Sequence, residues 1–277
     1  MTATAALAPS PTSDFAAIKT KQRAALGDGN YAIVGATLQI VGETLAEAAD
    51  LRAGEAVLDV AAGNGNATLA AARRFCEVTS TDYVPELLEA GHRRAKANGF
   101  EIAFQEADVE ALPFADNSFD AVTSTFGAMF APNQPRTAAE MLRVTRPGGR
   151  VAMANWTPES FIGALFKLIG QHVPPPAGLS SPALWGREDR LRSLFGAEAE
   201  IAVTQRSFTF HYRSPAHWVE VFRRWYGPTK RVFEALPEAG KRALEADLHG
   251  LAGEYNTATD GRLAAPSSYA EVIVTKR

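Results

Sequence analysis

The chain has 277 residues, 46% hydrophobic and 21% charged, which suits one large α/β domain with a full core. A net charge of -3 argues against a nucleic-acid binder, which normally carries a basic balance. The single cysteine, Cys76, excludes an intramolecular disulfide and fits a reducing, cytoplasmic compartment. No apolar run approaches the roughly 20 residues that a membrane span requires.

Residues 1–12, rich in Ala, Thr, Pro and Ser, read as a mobile tail without the basic start or long apolar centre of a signal peptide. From residue 13 onward the chain reads as a single domain. SDFAAIKTKQRAAL predicts a helix with Ser13 as cap and Phe15, Ile18 and Ala25 on one side. GDGN breaks it, and YAIVGATLQIVGETLAEAAD then places Ile33, Thr37, Ile40, Thr44 and Ala48 at helical spacing. After the turn LRAGE, strands and helices alternate. Strands are expected at 57–60, 77–81, 101–107, 119–125 and 150–156. Helices are expected at 66–74, at 85–98 with Pro85 in the first turn, and at 133–146, stopped by Pro147-Gly148-Gly149. This alternation implies right-handed crossovers and a mostly parallel sheet.

The second half differs. An apolar helix is expected at 159–173, ended by Pro174-Pro175-Pro176, and a short one at 187–195. The stretch 200–212 alternates as a strand, with a phase slip near Arg206 that reads as a bulge. A helical block follows at 215–256. Its first helix is capped by Ser214, stops at Gly227-Pro228, and carries Trp218, Val221, Phe222, Trp225 and Tyr226 as one apolar stripe. A strand at 268–275 closes the chain.

In an open parallel sheet, ligands bind beyond the carboxyl ends of the strands, where the strand order reverses. The first strand runs into Ala61-Ala62-Gly63-Asn64-Gly65-Asn66, small residues of the kind that let something approach the backbone closely. Asp82 follows the second strand, 19 residues past Gly63, the spacing of a carboxylate that accepts from both hydroxyls of an adenosine ribose. As a helix cap it would be out of place, because Pro85 makes Val84 the cap residue. Asp108, after the third strand, is suited either to capping the turn 109–112 or to accepting from an adenine amino group. The third glycine of a dinucleotide loop is replaced by Thr68 and no Walker lysine is present, so the loop favours an adenosine ligand lacking phosphates.

VLDVAAGNGN, TSTD, EADVEALPFADNSFDAV and MLRVTRPGGR, in this order and at these spacings, resemble the class I S-adenosylmethionine-dependent methyltransferases. The likeness is closest to the small-molecule group that includes the ubiquinone/menaquinone C-methyltransferases, and it covers about residues 30–156. The resemblance implies a Rossmann-like α/β fold: a seven-stranded, mostly parallel sheet with an antiparallel last strand, N-terminal helices, and a helical cap inserted between the last strands. The core would take about 50–156, 187–212 and 267–277, and the cap elements 13–49, 157–186 and 215–256. S-adenosyl-L-methionine is the implied cofactor. Asp59, Gly63 and Gly65 would lie around its methionine part, Asp82 on the ribose, and Asp108 and Val109 at the adenine. Phe126 would border the methyl group, Tyr31 would close over the cofactor, and Ala61, Tyr83 and Thr125 would also belong to the cofactor site. Ala61 departs from the family, which commonly has glycine there.

The implied partner is a small apolar or aromatic acceptor. Phe126, Met129, Phe130, Trp156, Trp185, Trp225 and Tyr226 are the candidates to line its pocket, each of which could instead be core of the cap. His172 and His211 are the histidines to consider as a general base, against a structural role for each. No His/Cys/Asp cluster has metal spacing, so no metal is expected. A homodimer is left open by the sequence. A nicotinamide-dependent oxidoreductase would share the strand, the loop and Asp82, and a cofactor-binding protein without turnover would share the whole pattern.

Overall fold

The computed structural model describes residues 14–28 and 30–277. The tail 1–12 and the expected cap Ser13 lie outside the described residues. The first helix, α1 (Phe15–Gly27), is capped by Asp14, whose carboxylate accepts from the Ala17 amide at 3.0 Å. It buries only Ile18. The next expected helix is divided into α2 (Tyr31–Gly35), a 3₁₀ turn (Ala36–Leu38) and α3 (Gln39–Ala48). At the break, Thr37 Oγ1 donates to the Val34 carbonyl at 2.7 Å, the local competition by which a hydroxyl disturbs a helix.

The alternating half gives β1 (Ala56–Val60), α4 (Asn66–Ala72), β2 (Glu77–Asp82), α5 (Pro85–Ala97), β3 (Ala103–Glu106), β4 (Phe119–Thr125), α6 (Gln134–Val144) and β5 (Thr145–Trp156). Val57 to Val60 are all buried, as expected of a central strand covered on both faces. Strand β5 begins five residues before its expected start. Thr145 already pairs with Phe119, and a register shift between Phe119 and Ala121 accommodates Pro147-Gly148-Gly149 inside the ladder. The triplet ends α6 but does not interrupt the sheet.

Helices α7 (Phe161–His172) and α8 (Glu188–Phe195) lead to β6 (Ala199–Tyr212), and β7 (Leu263–Lys276) closes the chain. The sheet order is β3-β2-β1-β4-β5-β7-β6, with β7 antiparallel to both neighbours. Between β6 and β7 lie α9 (Pro215–Trp225), α10 (Gly227–Ala235) and α11 (Glu238–Tyr255), the inserted helical cap.

Two expectations are corrected here. There is no bulge at Arg206, because β6 pairs with β7 residue for residue from Ala199↔Lys276 to Tyr212↔Leu263. The hydropathy slip arises because β6 is an edge strand whose middle is exposed, with Arg206 paired to Glu271 at 3.1 Å. Nor does Gly227-Pro228 simply stop a helix. Helix α9 ends because Tyr226 is extended (φ -89°, ψ 105°), and Gly227 and Pro228 open α10.

An aromatic cluster ties the cap to the sheet. Trp218 of α9 is fully buried and packs on Phe161 of α7 at 4.9 Å and on Phe222 at 5.0 Å, while Phe161 meets Phe210 of β6 at 6.0 Å. Among the described residues no helix is long and apolar enough to cross a membrane. Truncating the buried indole in Trp218→Ala should lower the free energy of unfolding by about 3–5 kcal/mol, measured by denaturant titration. A loss below about 1 kcal/mol would mean that the cap is not anchored through this cluster.

Candidate active site

The order of strands reverses between β1 and β4, and both strands end in a left-handed, non-glycine residue. Ala61 has φ 47° and Phe126 has φ 59°. Such backbone is strained for a side-chain-bearing residue and is held only where the surroundings over-determine it. Gly127 lets the two turns close: a Cβ there would stand 2.0 Å from the Ala61 carbonyl oxygen. Gly65, with φ 82°, provides the left-handed turn that starts α4.

A cleft of about 1180 Å³, open mouth included, lies over these strand ends. Its wall is divided along the sheet. Over β3, β2 and β1 it is polar: Ala61, Ala62, Gly63 and Asn64 from the loop after β1, Asp82 and Tyr83 after β2, Ala107, Asp108 and Val109 after β3. Over β4, β5 and β6 it is aromatic and aliphatic, with Phe126, Phe130, Trp156, Ile162 and Phe210, roofed by Phe222, Tyr226 and Pro228 of the cap. Phe126 and Trp156 are stacked, centroids 3.8 Å apart and planes parallel. Tyr31 stands between the halves, its ring 3.6 Å from where a Cβ on Gly63 would be and 6.4 Å from the Tyr226 ring.

Asp82 is 4% exposed, and its carboxylate accepts from the amides of Gly63 and Val84, each at 2.9 Å. Burial nevertheless pushes its pKa up to about 6. Asp108 is more exposed and already engaged. It accepts from Lys19 of α1 at 2.6 Å and from the Glu110 amide at 2.9 Å, and Lys19 also pairs with Glu110. Burial raises Tyr31 to about 12, and it raises Tyr226 as well, so both phenols stay protonated and act as donors.

Of the expected cofactor residues, the cleft brings together Tyr31, Ala61, Gly63, Asp82, Tyr83, Asp108, Val109, Thr125 and Phe126. Asp59 and Gly65 lie beneath it. The Asp59 carboxylate faces away from the cleft, accepting from Thr68 N at 2.8 Å, Thr68 Oγ1 at 2.5 Å and Thr123 Oγ1 at 3.1 Å. Of the expected acceptor residues, Phe126, Phe130, Trp156 and Tyr226 line the cleft. Met129 and Trp185 do not, since both are fully buried in the core. Trp225 lies outside too, its ring covered by the Arg224 guanidinium at 4.6 Å. His172 pairs with Asp247 of α11 at 2.8 Å, and His211 lies in a surface groove with His217 and Arg262, so neither faces the cleft. Lys19, Asn64, Phe210 and Phe222 line it without having been singled out for it.

Residues 58–153 match the family described as a methyltransferase domain. An uncharacterised protein of Mycobacterium tuberculosis is 39% identical over 251 residues, which cover 88% of this chain and 92% of that protein. The demethylmenaquinone methyltransferase of Deinococcus radiodurans is 39% identical over 126 residues, 44% of this chain and 52% of that enzyme. The chain belongs to the class I S-adenosylmethionine-dependent methyltransferases. The fold agrees: the YcgJ protein of Bacillus subtilis superposes with a TM-score of 0.58 at 19% identity, over 88% of this chain and 99% of that one. A methyltransferase-like protein of Bacillus halodurans gives 0.59 at 20% identity, over 84% and 97%.

The cofactor of this family is S-adenosylmethionine, and the residues present fit it. Lys19 is the one cationic side chain among the described residues lining the cleft, and it is already paired with two carboxylates. A pyrophosphate would find no free cation there. Thr68, where a dinucleotide loop has its third glycine, is buried and bonded to Asp59. Hydroxyls and amines, by contrast, meet the carboxylates of Asp82 and Asp108. The nicotinamide oxidoreductase considered from the sequence is set aside by the match of residues 58–153 to a methyltransferase domain.

The raised pKa of Asp82 has a measurable consequence. Its folded value of about 6 lies above the ordinary 3.8, so the group favours folding below that ordinary value and loses this contribution as pH rises through about 6. The ligand-free Asp82→Asn variant should therefore gain stability relative to the parent, by about 1.5 kcal/mol between pH 5 and pH 7.5. Denaturant midpoints at the two pH values measure it, and a difference independent of pH would show that the carboxyl is not desolvated.

Proposed function

We propose that this methyltransferase transfers a methyl group to a small apolar or aromatic molecule whose nucleophilic atom reacts without a proton acceptor from the protein. One observation carries this reading: the half of the cleft over β4, β5 and β6 is walled by aromatic and aliphatic side chains, with neither an imidazole nor a carboxylate among them. When bound, S-adenosylmethionine supplies a methyl group on a positively charged sulfur.

The chain's own residues would divide the work along the sheet. Asp82, ionised above pH 6, would accept from the ribose hydroxyls, and Asp108 with Val109 would meet the adenine. The bare backbone at Gly63 would receive the amino-acid part. Phe126, stacked on Trp156, would screen the reacting centre from water, and Phe130, Phe210, Phe222 and Tyr226 would hold the acceptor flat against it. Such alignment and exclusion of water contribute several kcal/mol to a displacement, up to about 7–11 in the best intramolecular cases. A desolvated surrounding favours a step in which charge is lost. The Tyr226 hydroxyl remains a donor for a polar atom of the acceptor. An acceptor that needs deprotonation would find no imidazole or carboxylate among the described residues on that side, which favours an electron-rich carbon, a thiolate or an unprotonated amine over an aliphatic alcohol.

The cofactor half is tested with S-adenosylhomocysteine. Asp82→Ala should weaken its binding by two charge-assisted hydrogen bonds, about 1.5–3 kcal/mol each. Asp108→Ala should cost less, because Asp108 would meet one adenine amine where Asp82 would meet two ribose hydroxyls. Affinity of the parent protein should fall as pH drops through about 6, where Asp82 takes up its proton. Calorimetric titration reads all three, and equal losses for the two variants would reverse the assignment of the carboxylates.

The acceptor half is tested just past the end of α9. Tyr226→Ala should keep the affinity for S-adenosylhomocysteine within about twofold while cutting methyl transfer at least about tenfold. Trp225→Ala, outside the cleft, should change neither. The readout is S-adenosylhomocysteine formation across a panel of aromatic carbon acids, thiols and amines. Equal turnover in the Tyr226 variant and the parent would place the acceptor elsewhere.

A further inference from the structure

Strand β6 leaves one side of its backbone without a partner. It is 14 residues long and pairs with β7 along its whole length. Among the described residues, no hydrogen bond reaches the other side of its backbone. Glu200, Ala202, Thr204, Gln205, Arg206 and Ser207 are exposed, so solvent reaches this edge over the stretch from Ala199 to Ser207. Only beyond it, at Phe210, does the strand become buried under the cap. A long open edge is a template for another strand, and folded proteins commonly blunt it with proline, lysine, a bulge or an overlying loop. β6 contains no proline, no lysine and no bulge.

The exposed stretch is complementary to itself. A two-fold axis perpendicular to the sheet sets two copies of β6 antiparallel and keeps every side chain on its own face. The axis must then pass through a residue, and charge selects which one. Centred on Arg206, the ladder would set Arg206 against Arg206. Centred on Gln205, it would place the two arginines on adjacent rungs of the same face. Centred on Val203, it sets Arg206 directly opposite Glu200, twice by symmetry, with Val203 against Val203 on the axis and Ala202 against Thr204 beside it. Opposite charges on facing rungs favour a pairing and like charges disfavour it. Both side chains are available: Glu200 is 75% exposed and stands 3.8 Å from Arg277, and Arg206 is half exposed although one of its nitrogens pairs with Glu271.

We propose that the β6 edge binds a second copy of this chain, antiparallel and centred on Val203, so that residues 199–207 of the two copies join their sheets into one. The register matches the open part of the edge: it runs from Ala199, where the strand begins, to Ser207, before the cap covers it. The contact is one ladder and two ion pairs, small for an interface, so the dimer is reversible, with a Kd of about 1–100 µM. It also reaches the site, because Phe210 of the same strand lines the cleft. A second copy holds that strand on the side that is open in the single chain.

Sedimentation equilibrium of the full chain tests this, with circular dichroism and melting temperature as controls for folding. Glu200→Arg sets two arginines on facing rungs, and Val203→Glu or Val203→Lys sets like charges against each other on the axis. Each should raise the Kd of the dimer at least about tenfold. An equimolar mixture of the Val203→Glu and Val203→Lys chains should associate again, with a Kd within about threefold of the parent's, because opposite charges then meet on the axis. Hydrogen exchange should show the β6 amides gaining protection as the concentration of the parent rises. A parent that stays monomeric up to about 0.1 mM overturns the inference. So does a dimer whose Kd none of the variants changes, which places the interface elsewhere, and so does a mixture that fails to recover, which excludes the Val203 axis. Protection of β6 that is complete in the monomer would show that the chain covers its own edge, and would equally overturn it.

Discussion

A buried carboxylate at the centre of the sheet sets the geometry of the site. Asp59 is 1% exposed, and it joins β1, on which it stands, to the first turn of α4 through Thr68 and to β4 through Thr123. Thr68 continues the chain to Ser80 of β2 at 2.9 Å. Three adjacent strands and one helix therefore share a single hydrogen-bonded knot under the glycine loop. Desolvation still raises Asp59 to about 6, so the knot is costly to bury, and its four members only balance as a set. With the floor fixed in this way, the loop above it can keep its unusual backbone and present little but peptide groups to a ligand.

Above that floor the division of labour follows from topology. The strands on one side of the reversal end in carboxylates and small residues, and those on the other side end in rings. Crossovers on the first side are short and regular. On the second side the sheet turns antiparallel, which frees its connections from being simple crossovers and lets one of them grow into three helices. In the function proposed above, the cofactor would sit on the regular half and the acceptor on the irregular half. The chain's likeness to a demethylmenaquinone methyltransferase extends over 126 residues, 44% of its length.

What the sequence disclosed follows the same line. Strand β1 was legible because four buried residues in a row are followed by residues with almost no side chains, and Asp82 was legible from its distance to Gly63. Alternation puts Asp59 on the sheet face opposite to Leu58 and Val60, but no spacing encodes its hydrogen bonds to Thr68 and Thr123. Lys19 had no such signal: it acts through a hydrogen bond to a partner 89 residues away, which no periodicity encodes. The α9 stripe was right as a face but could not be divided by spacing. Trp218 went to the core, Phe222 and Tyr226 to the cleft and Trp225 to the rim, because the helix ends at Trp225 and the chain turns there.

The unbroken pairing of β6 with β7 has a bearing on how such enzymes diversify. The fourteen paired residues end at Tyr212 opposite Leu263, so the fifty residues between them leave and re-enter the sheet at neighbouring points, about 5 Å apart across one rung of the ladder. The insertion is a cassette whose two ends are fixed by the sheet and not by its contents. A descendant could exchange all of it for another run of helices without cutting a strand, shifting a register or disturbing the loops on the far side. Inheritance of a new acceptor would then be a matter of one splice, made at a place where the chain's entry and exit already meet.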